Sequence, residues 1–298
     1  MSIYRLISAE KATFPVSVQC DVLGVSRSGY YGWERRAPSA RARRDAELTK
    51  LIREIHGRAR GVYGAPRIHA ELRMAHGIRV SRKRVERLMR EVGISGLIKR
   101  KRGRTTIRVQ GVRVADDLVR RNFQPAAPNL LWLADITYLR SWEGWLYLGA
   151  VQDAFSRAIA GWSMTEHMRA ELVVDALEMG VSRRRPEAGL VHHSDQGSQY
   201  VSLGFGQAAR DAGIAVSMGS KGDCYDNAVA ESFFATLKKE LVYREGPWRT
   251  RRELATAVFD YIEVFYNRER RHSTLGYYSP LEFEQNGSPS IKMERELT

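Results

Sequence analysis

The sequence predicts an α/β protein in two parts, with small all-α modules of helix-turn-helix type preceding a core built on a mixed sheet. Three observations predict it. Charge is segregated: residues 1–121 hold 29 Lys and Arg against 11 Asp and Glu, a net of +18, while the other 19 and 23 leave residues 122–298 at −4, within a total of +14. The apolar residues of the first part recur at helical spacing. Beyond residue 121 they gather into aromatic and β-branched runs bounded by turns, and those runs then alternate with helical stretches.

The elements follow in chain order. In "PVSVQCDVLGVSRSGYYGW" (15–33) a short helix reaches Leu23, Gly24 makes a turn and Ser26 caps a second helix, a helix-turn-helix outline within residues 1–40. A second outline occupies residues 41–98. Leu48, Leu51, Ile52 and Ile55 share one helical face; a further helix ends near Gly77, and another starts from Ser81 with Val85, Leu88, Met89 and Val92 as its buried stripe. Arg82, Lys83, Arg87 and Arg90 then point away from that stripe and suit a major groove or a line of phosphates. "KRKRGRTT" opens a basic linker over 99–121. Concentrated in helical patterns, this positive charge predicts a module that neutralises the phosphates of double-stranded DNA.

Residues 122–284 form the core. "LLWLADITYL", "GWLYLGAVQD" and "AIAGWSM" read as three meandering strands, followed by a helix in "RAELVVDALEMGV", a strand in "GLVHHSD", a helix near 203–212, a strand in "IAVSMGS" and a helix carrying Glu231. Strands reached through helical crossovers lie parallel to the first, so the sheet is mixed. Further on, Leu254, Val258, Tyr261 and Phe265 line one face of a carboxy-terminal helix. Arg268, Arg270, Arg271 and His272, interleaved with Tyr277 and Tyr278, read as an exposed basic surface for DNA. Residues 285–298 read as a flexible tail.

Other classes are disfavoured. No apolar run approaches the roughly 20 residues of a membrane helix, and the amino terminus lacks the layout of a signal peptide, so a cytoplasmic, nucleoid-associated protein is expected. Cys20 and Cys224 form no metal-spacing pair and read as reduced thiols, and no structural zinc is expected.

Among the acids, Asp135 lies mid-strand in an apolar run, Asp195 ends the fourth strand, where α/β sheets tend to bind ligands, and Glu231 lies on a helix that must cover the sheet. Brought together, three carboxylates repel unless a divalent cation lies among them, and Mg²⁺ is the natural occupant. Each acid also has an ordinary structural explanation. Asp153, Asp223 and Asp226 compete with them, so position alone does not select a set.

"WLADITYL", "LYLGAVQDAFSRAIAGW", "HHSDQGSQY", "DNAVAESFFATLKKE" and "YNRERRHSTLGYYSP" together resemble OrfB, the catalytic subunit of bacterial insertion-sequence transposases made as OrfA plus OrfB, in the retroviral-integrase superfamily. The resemblance covers nearly the whole chain and implies an RNase H-like core whose metal ligands are Asp135, Asp195 and Glu231. Thirty-five residues separate the last two, matching that group's acidic pattern, and Lys238 matches its basic residue seven places after the glutamate. Asn227, Glu231 and Lys238 would then share a helix face, the acid on Mg²⁺ (or Mn²⁺) and the amide and lysine on DNA. The implied reaction is DNA strand cleavage and transfer at element ends and into target DNA, by a homo-oligomer on DNA. Rival expectations are a nuclease of the same fold that does not join, and a non-catalytic repressor. With no sustained heptad pattern, an OrfA-type partner or fusion carrying the leucine zipper is expected.

Overall fold

The computed structural model describes residues 3–97, 119, 123, 125–195, 197–219 and 228–286. Three short helices come first: α1 (Ile3–Glu10), α2 (Val16–Val22) and α3 (Arg27–Glu34). The turn at Gly24 takes φ +65°, and the Ser26 hydroxyl accepts a hydrogen bond from Gly29 N, which caps α3. The sequence reading omitted α1. It supplies Ile7 and Tyr4 to a small core around Cys20 and Tyr30, so Cys20 is a buried packing residue with a free thiol. Cys224 lies outside the described residues.

Next come α4 (Ala40–Arg58), α5 (Ala65–Met74) and α6 (Arg82–Glu91), the last capped by the Ser81 hydroxyl. Leu48, Ile52, Ile55, Val85, Leu88 and Met89 are buried as their spacing predicts. These helices continue into the core. A single hydrophobic cluster runs from Ile52, Ile68 and Leu88 to Leu148, Phe234, Leu254 and Phe265. Tyr63 lies 6.4 Å from the Phe265 ring, donates to Glu269 O and accepts from Arg271 N.

The sheet comprises β1 (Leu131–Ser141), β2 (Gly144–Asp153), β3 (Ile159–Thr165), β4 (Val191–Ser194) and β5 (Ala215–Met218) in the order β3-β2-β1-β4-β5. The first three strands pair antiparallel, and β4 and β5 join parallel to β1. Helices α7 (Glu171–Arg184) and α8 (Leu203–Asp211) supply the crossovers, their apolar residues packing with Trp132, Ala134 and Val151 on one face. The opposite face, with Leu139 and Leu148, is covered by α9 (Ala228–Leu237) and, beyond α10 (Tyr243–Glu245), by α11 (Arg251–Asp260). Both α9 and α11 widen into π-helical turns, Lys238–Val242 and Tyr261–Tyr266. A last helix, α12 (Pro280–Asn286), ends the described chain.

The carboxy-terminal basic surface requires correction. Arg270, Arg271 and His272, expected to be exposed beside Tyr277 and Tyr278, are 5, 6 and 8 % exposed. Arg271 bridges Glu71 of α5 and Glu282 of α12, and Arg270 clasps Glu240, so both charges are consumed inside the protein. His272 packs edge-on against Tyr266, and burial, then Arg270 and Arg67, holds its imidazole well below the usual range, hence neutral. Neither Arg271 nor His272 is placed to meet DNA.

The seam shared by the helical segment and the core has a measurable consequence. Residues 1–121 expressed alone are expected to bind duplex DNA with an affinity that falls steeply as salt rises, and residues 122–298 far more weakly, following the charge split. The second fragment should also lose thermal stability, because Glu240, Arg271 and Phe265 lose their neighbours. Equal DNA affinities would contradict the first expectation, and an unchanged melt for 122–298 the second.

Candidate active site

Strand register places two of the acids side by side. The parallel pairing of β1 and β4 runs to Ala134 opposite Ser194, so Asp135 and Asp195 are the next residue on each strand, where β4 leaves the sheet. Neighbouring strands lie about 4.8 Å apart. On its other side Asp135 pairs with Ala150 of β2. By the alternation of β1 it shares a face with Leu133 and Leu139, and at Leu139 that face packs with α9. Phe233, Phe234 and Leu237 anchor α9 there, leaving Glu231 exposed in its first turn.

Electrostatics reports the same neighbourhood. Burial pushes the Asp135 carboxyl up to about 7, with the charges of Asp195 and Glu231 adding to the shift, while Ile136 N, donating to Oδ1 at 2.8 Å, and the Lys238 ammonium oppose it. Tyr200, buried behind the strands, is raised well above its usual range by burial and then by Asp135 and Asp195. Burial lowers the Lys238 amine, which Asp135 partly restores; its Nζ lies 4.9 Å from the centre of the exposed Tyr138 ring. Asp195 Oδ1 accepts from Gly197 N at 3.1 Å. His192, with its imidazole pushed down to about 4 by burial, and His193, hydrogen-bonded to Ser217, precede Asp195 on β4 as buried packing residues. Tyr138 and Tyr200 also belong to this neighbourhood; spacing assigns neither a role, although they lie in the stretches that hold Asp135 and Asp195.

Close enough to repel, the three carboxylates are not gathered: among the described residues, no group of three His, Cys, Asp or Glu side chains stands ready to hold an ion. The two observations are compatible. Asp195 and Glu231 are exposed side chains with rotamer freedom, whereas Asp135 is held by its strand.

Of the competing acids, Asp153 has a structural task. Its carboxylate accepts from Asn129 N at 2.7 Å and from the Ser156 N and Oγ at 2.9 and 3.0 Å, which closes the turn after β2. Asp223, Asp226 and Asn227 lie outside the described residues. Among the expected DNA contacts on α6, Arg82 pairs with Glu86, and Arg87 is taken by Asp45 and Glu91, while Lys83 and Arg90 are exposed. Asp45 also holds Arg84, and these hydrogen bonds keep its carboxyl below the usual range.

Comparison with known proteins agrees with this architecture. Residues 125–224 and 231–287 each match an Integrase core domain family, and residues 42–102 match an HTH-like domain. The chain is 44% identical over 268 residues, 89% of its length and 97% of the relative's, to the Insertion element IS600 uncharacterized 31 kDa protein of Shigella sonnei. It is 40% identical over 283 residues, 94% of its length and 98% of the relative's, to Transposase InsF for insertion sequence IS3A of Escherichia coli strain K12. A looser likeness, at 16% identity and a TM-score of 0.40, covers 53% of this chain and 97% of the HTLV-2 integrase catalytic core domain solved in complex with magnesium. The chain belongs to the IS3 family of insertion-sequence transposases, DDE-class polynucleotidyl transferases that carry an RNase H-like integrase core behind an HTH-like region that binds DNA.

Proposed function

We propose that Asp135, Asp195 and Glu231 together hold divalent metal, Mg²⁺ or Mn²⁺, and that the chain uses it to cut DNA at the ends of an insertion sequence and to join the freed strand to a new partner. The observation that carries this reading is the Asp135 carboxyl, pushed up to about 7 by burial and by two further carboxylates, with one ammonium, Lys238, set against three acids. The donor set fits: every ligand is a carboxylate oxygen, the preference of a hard cation. When bound, such an ion activates an attacking oxygen and neutralises charge on the leaving one.

The chain's own residues supply the remainder. Ile136 N and Gly197 N hold one oxygen each of Asp135 and Asp195, which leaves the other oxygens available. Turning the exposed Glu231 and Asp195 inward completes the site. Lys238, close to Asp135 and seated over Tyr138, presents a positive charge to the phosphodiester beside the carboxylates. In-line displacement at phosphorus depends on positioning and charge neutralisation, so no separate nucleophilic side chain is required. An attacking 3′-hydroxyl at one element end, directed at the same strand at the other end, gives a circular intermediate. Selection of those ends is assigned to an OrfA-type partner or fusion acting with a homo-oligomer of this chain.

The test is incubation with the element's own end DNA, with cut and joined products resolved separately. Mg²⁺ is expected to yield both, whereas Ca²⁺ should support binding without chemistry because its looser coordination positions the reacting oxygens poorly. Cutting without joining would make the chain a nuclease, and binding without either would make it a repressor.

A further inference from the structure

A cavity of about 540 Å³ opens at the seam between the helical segment and the core. Arg67 of α5, Arg157 from the turn after β2, Ser232 and Thr236 of α9, Glu240 of the following π-helical turn and Arg270 line its walls. Glu240 is the one acid among the described lining residues, and it is already engaged. Arg270 Nε and Nη2 donate to its two oxygens at 2.8 and 2.7 Å, and the Tyr261 hydroxyl donates at 2.8 Å. Arg67 Nη1 stands 3.7 Å from Oε1, beyond hydrogen-bond reach. Among the described residues, the Arg157 guanidinium has neither a hydrogen-bond partner nor an ion-pair partner, although burial lowers its pKa, as it does that of Arg67.

Three guanidiniums therefore face one carboxylate in a partly dry space. Buried cations in folded proteins are ordinarily paired, because desolvation without a counter-charge is costly. Arg157 is held by its main chain, with φ +65° and its carbonyl accepting from Gln152 Nε2 at 2.8 Å, and among the described residues no side chain takes up its charge. The missing partner is an anion. Planar guanidinium forks and hydroxyls lining one cavity suit a phosphate.

We propose that this cavity binds a phosphate of the DNA backbone, clamped by Arg157 and Arg67 with the Ser232 and Thr236 hydroxyls as further donors. DNA is favoured as the source because the walls join the two DNA-handling parts of the chain: Arg67 belongs to the basic helical segment, and Ser232 directly follows Glu231. One phosphate held here ties the DNA on the helices to the helix that carries Glu231. The inference rests on the strand-transfer reading above.

The test uses the full chain with Arg157→Met, which keeps the apolar stem and removes the charge. Without DNA the variant is expected to melt at the wild-type temperature or higher; a clearly lower melt would make Arg157 structural and overturn the proposal. On end DNA in Ca²⁺, affinity should fall about tenfold and the slope of log affinity against log salt should lose about one unit. End DNA carrying a single neutral methylphosphonate, moved along each strand, should show one position that weakens wild-type binding about tenfold and leaves Arg157→Met unchanged. Arg157→Lys should recover part of the loss. If no position distinguishes the two proteins, the proposal fails. If inorganic phosphate raises the wild-type melt but no DNA position is sensed, the cavity takes a free anion and the DNA assignment is overturned. If the sensitive position is found but the wild type neither cuts nor joins with Mg²⁺, the cavity stands and the strand-transfer reading is what fails.

Discussion

Asp135→Asn is expected to abolish cutting and joining, by at least about a thousandfold, while DNA binding in Ca²⁺ stays within about twofold of wild type. Asp195→Asn and Glu231→Gln should behave alike in chemistry. The reason is separation of tasks: the carboxylates serve the metal, and the net +18 of residues 1–121 serves the phosphates. Product gels with Mg²⁺ and fluorescence anisotropy with Ca²⁺ measure the two, and a variant that keeps substantial Mg²⁺-dependent activity removes its residue from the set. Asp135 carries a second signature. Its folded-state pKa of about 7 lies above the ordinary 3.8, so folding takes up a proton between those values. In metal-free protein the Asp135 contribution to stability is therefore lost as pH rises through that window and regained as it falls. Near pH 8, replacing the carboxylate by an amide should stabilise the metal-free chain by up to about 4 kcal/mol, because each tenfold change in proton affinity is worth about 1.4 kcal/mol. Urea melts in chelator at about pH 5 and pH 8 check the sign, since the curves of the wild type and of the Asp135→Asn variant should draw together at the lower pH. A lower stability for Asp135→Asn at pH 8 would mean that the carboxylate is paired.

Glu240→Ala is expected to cause the largest loss of stability, about 3–5 kcal/mol, without touching the carboxylate site. Glu240 is buried, accepts from both Arg270 donors and from the Tyr261 hydroxyl, and is the acid nearest to Arg67. Removing it strands Arg270, itself 5 % exposed, and orphans a buried phenol. For a chain of this size the melting temperature should drop by roughly 10 °C. Breaking one partner of a buried pair is far more damaging than replacing both by apolar groups of similar volume, so Glu240→Leu combined with Arg270→Met should recover part of the loss. Thermal melts of the two variants provide the comparison; a double variant no more stable than Glu240→Ala would show that the network, and not the stranded charge, sets the cost.

Whatever rests on local pattern was legible in the chain alone. Ser26 and Ser81 cap the helices they precede, and the aromatic and β-branched runs of 131–165 form the meander. The crossovers return β4 and β5 parallel to β1, which sets Asp135 beside Asp195. These follow because caps, composition of the runs and helical crossovers act over a few residues or through the sheet itself. The partners of charges far apart in the chain emerged only with the packed fold. Arg271 looked like a DNA contact because it sits in a basic, aromatic stretch, but its partner Glu71 is 200 residues away, and no spacing rule reaches that far. The same holds for Tyr63 on Glu269, at 206 residues, and for Arg87 withdrawn by Asp45. A charged side chain is assigned by what stands within a few ångströms of it, and that is decided when α5, α9 and α11 close on one another, because desolvation makes every unpaired charge at the seam costly.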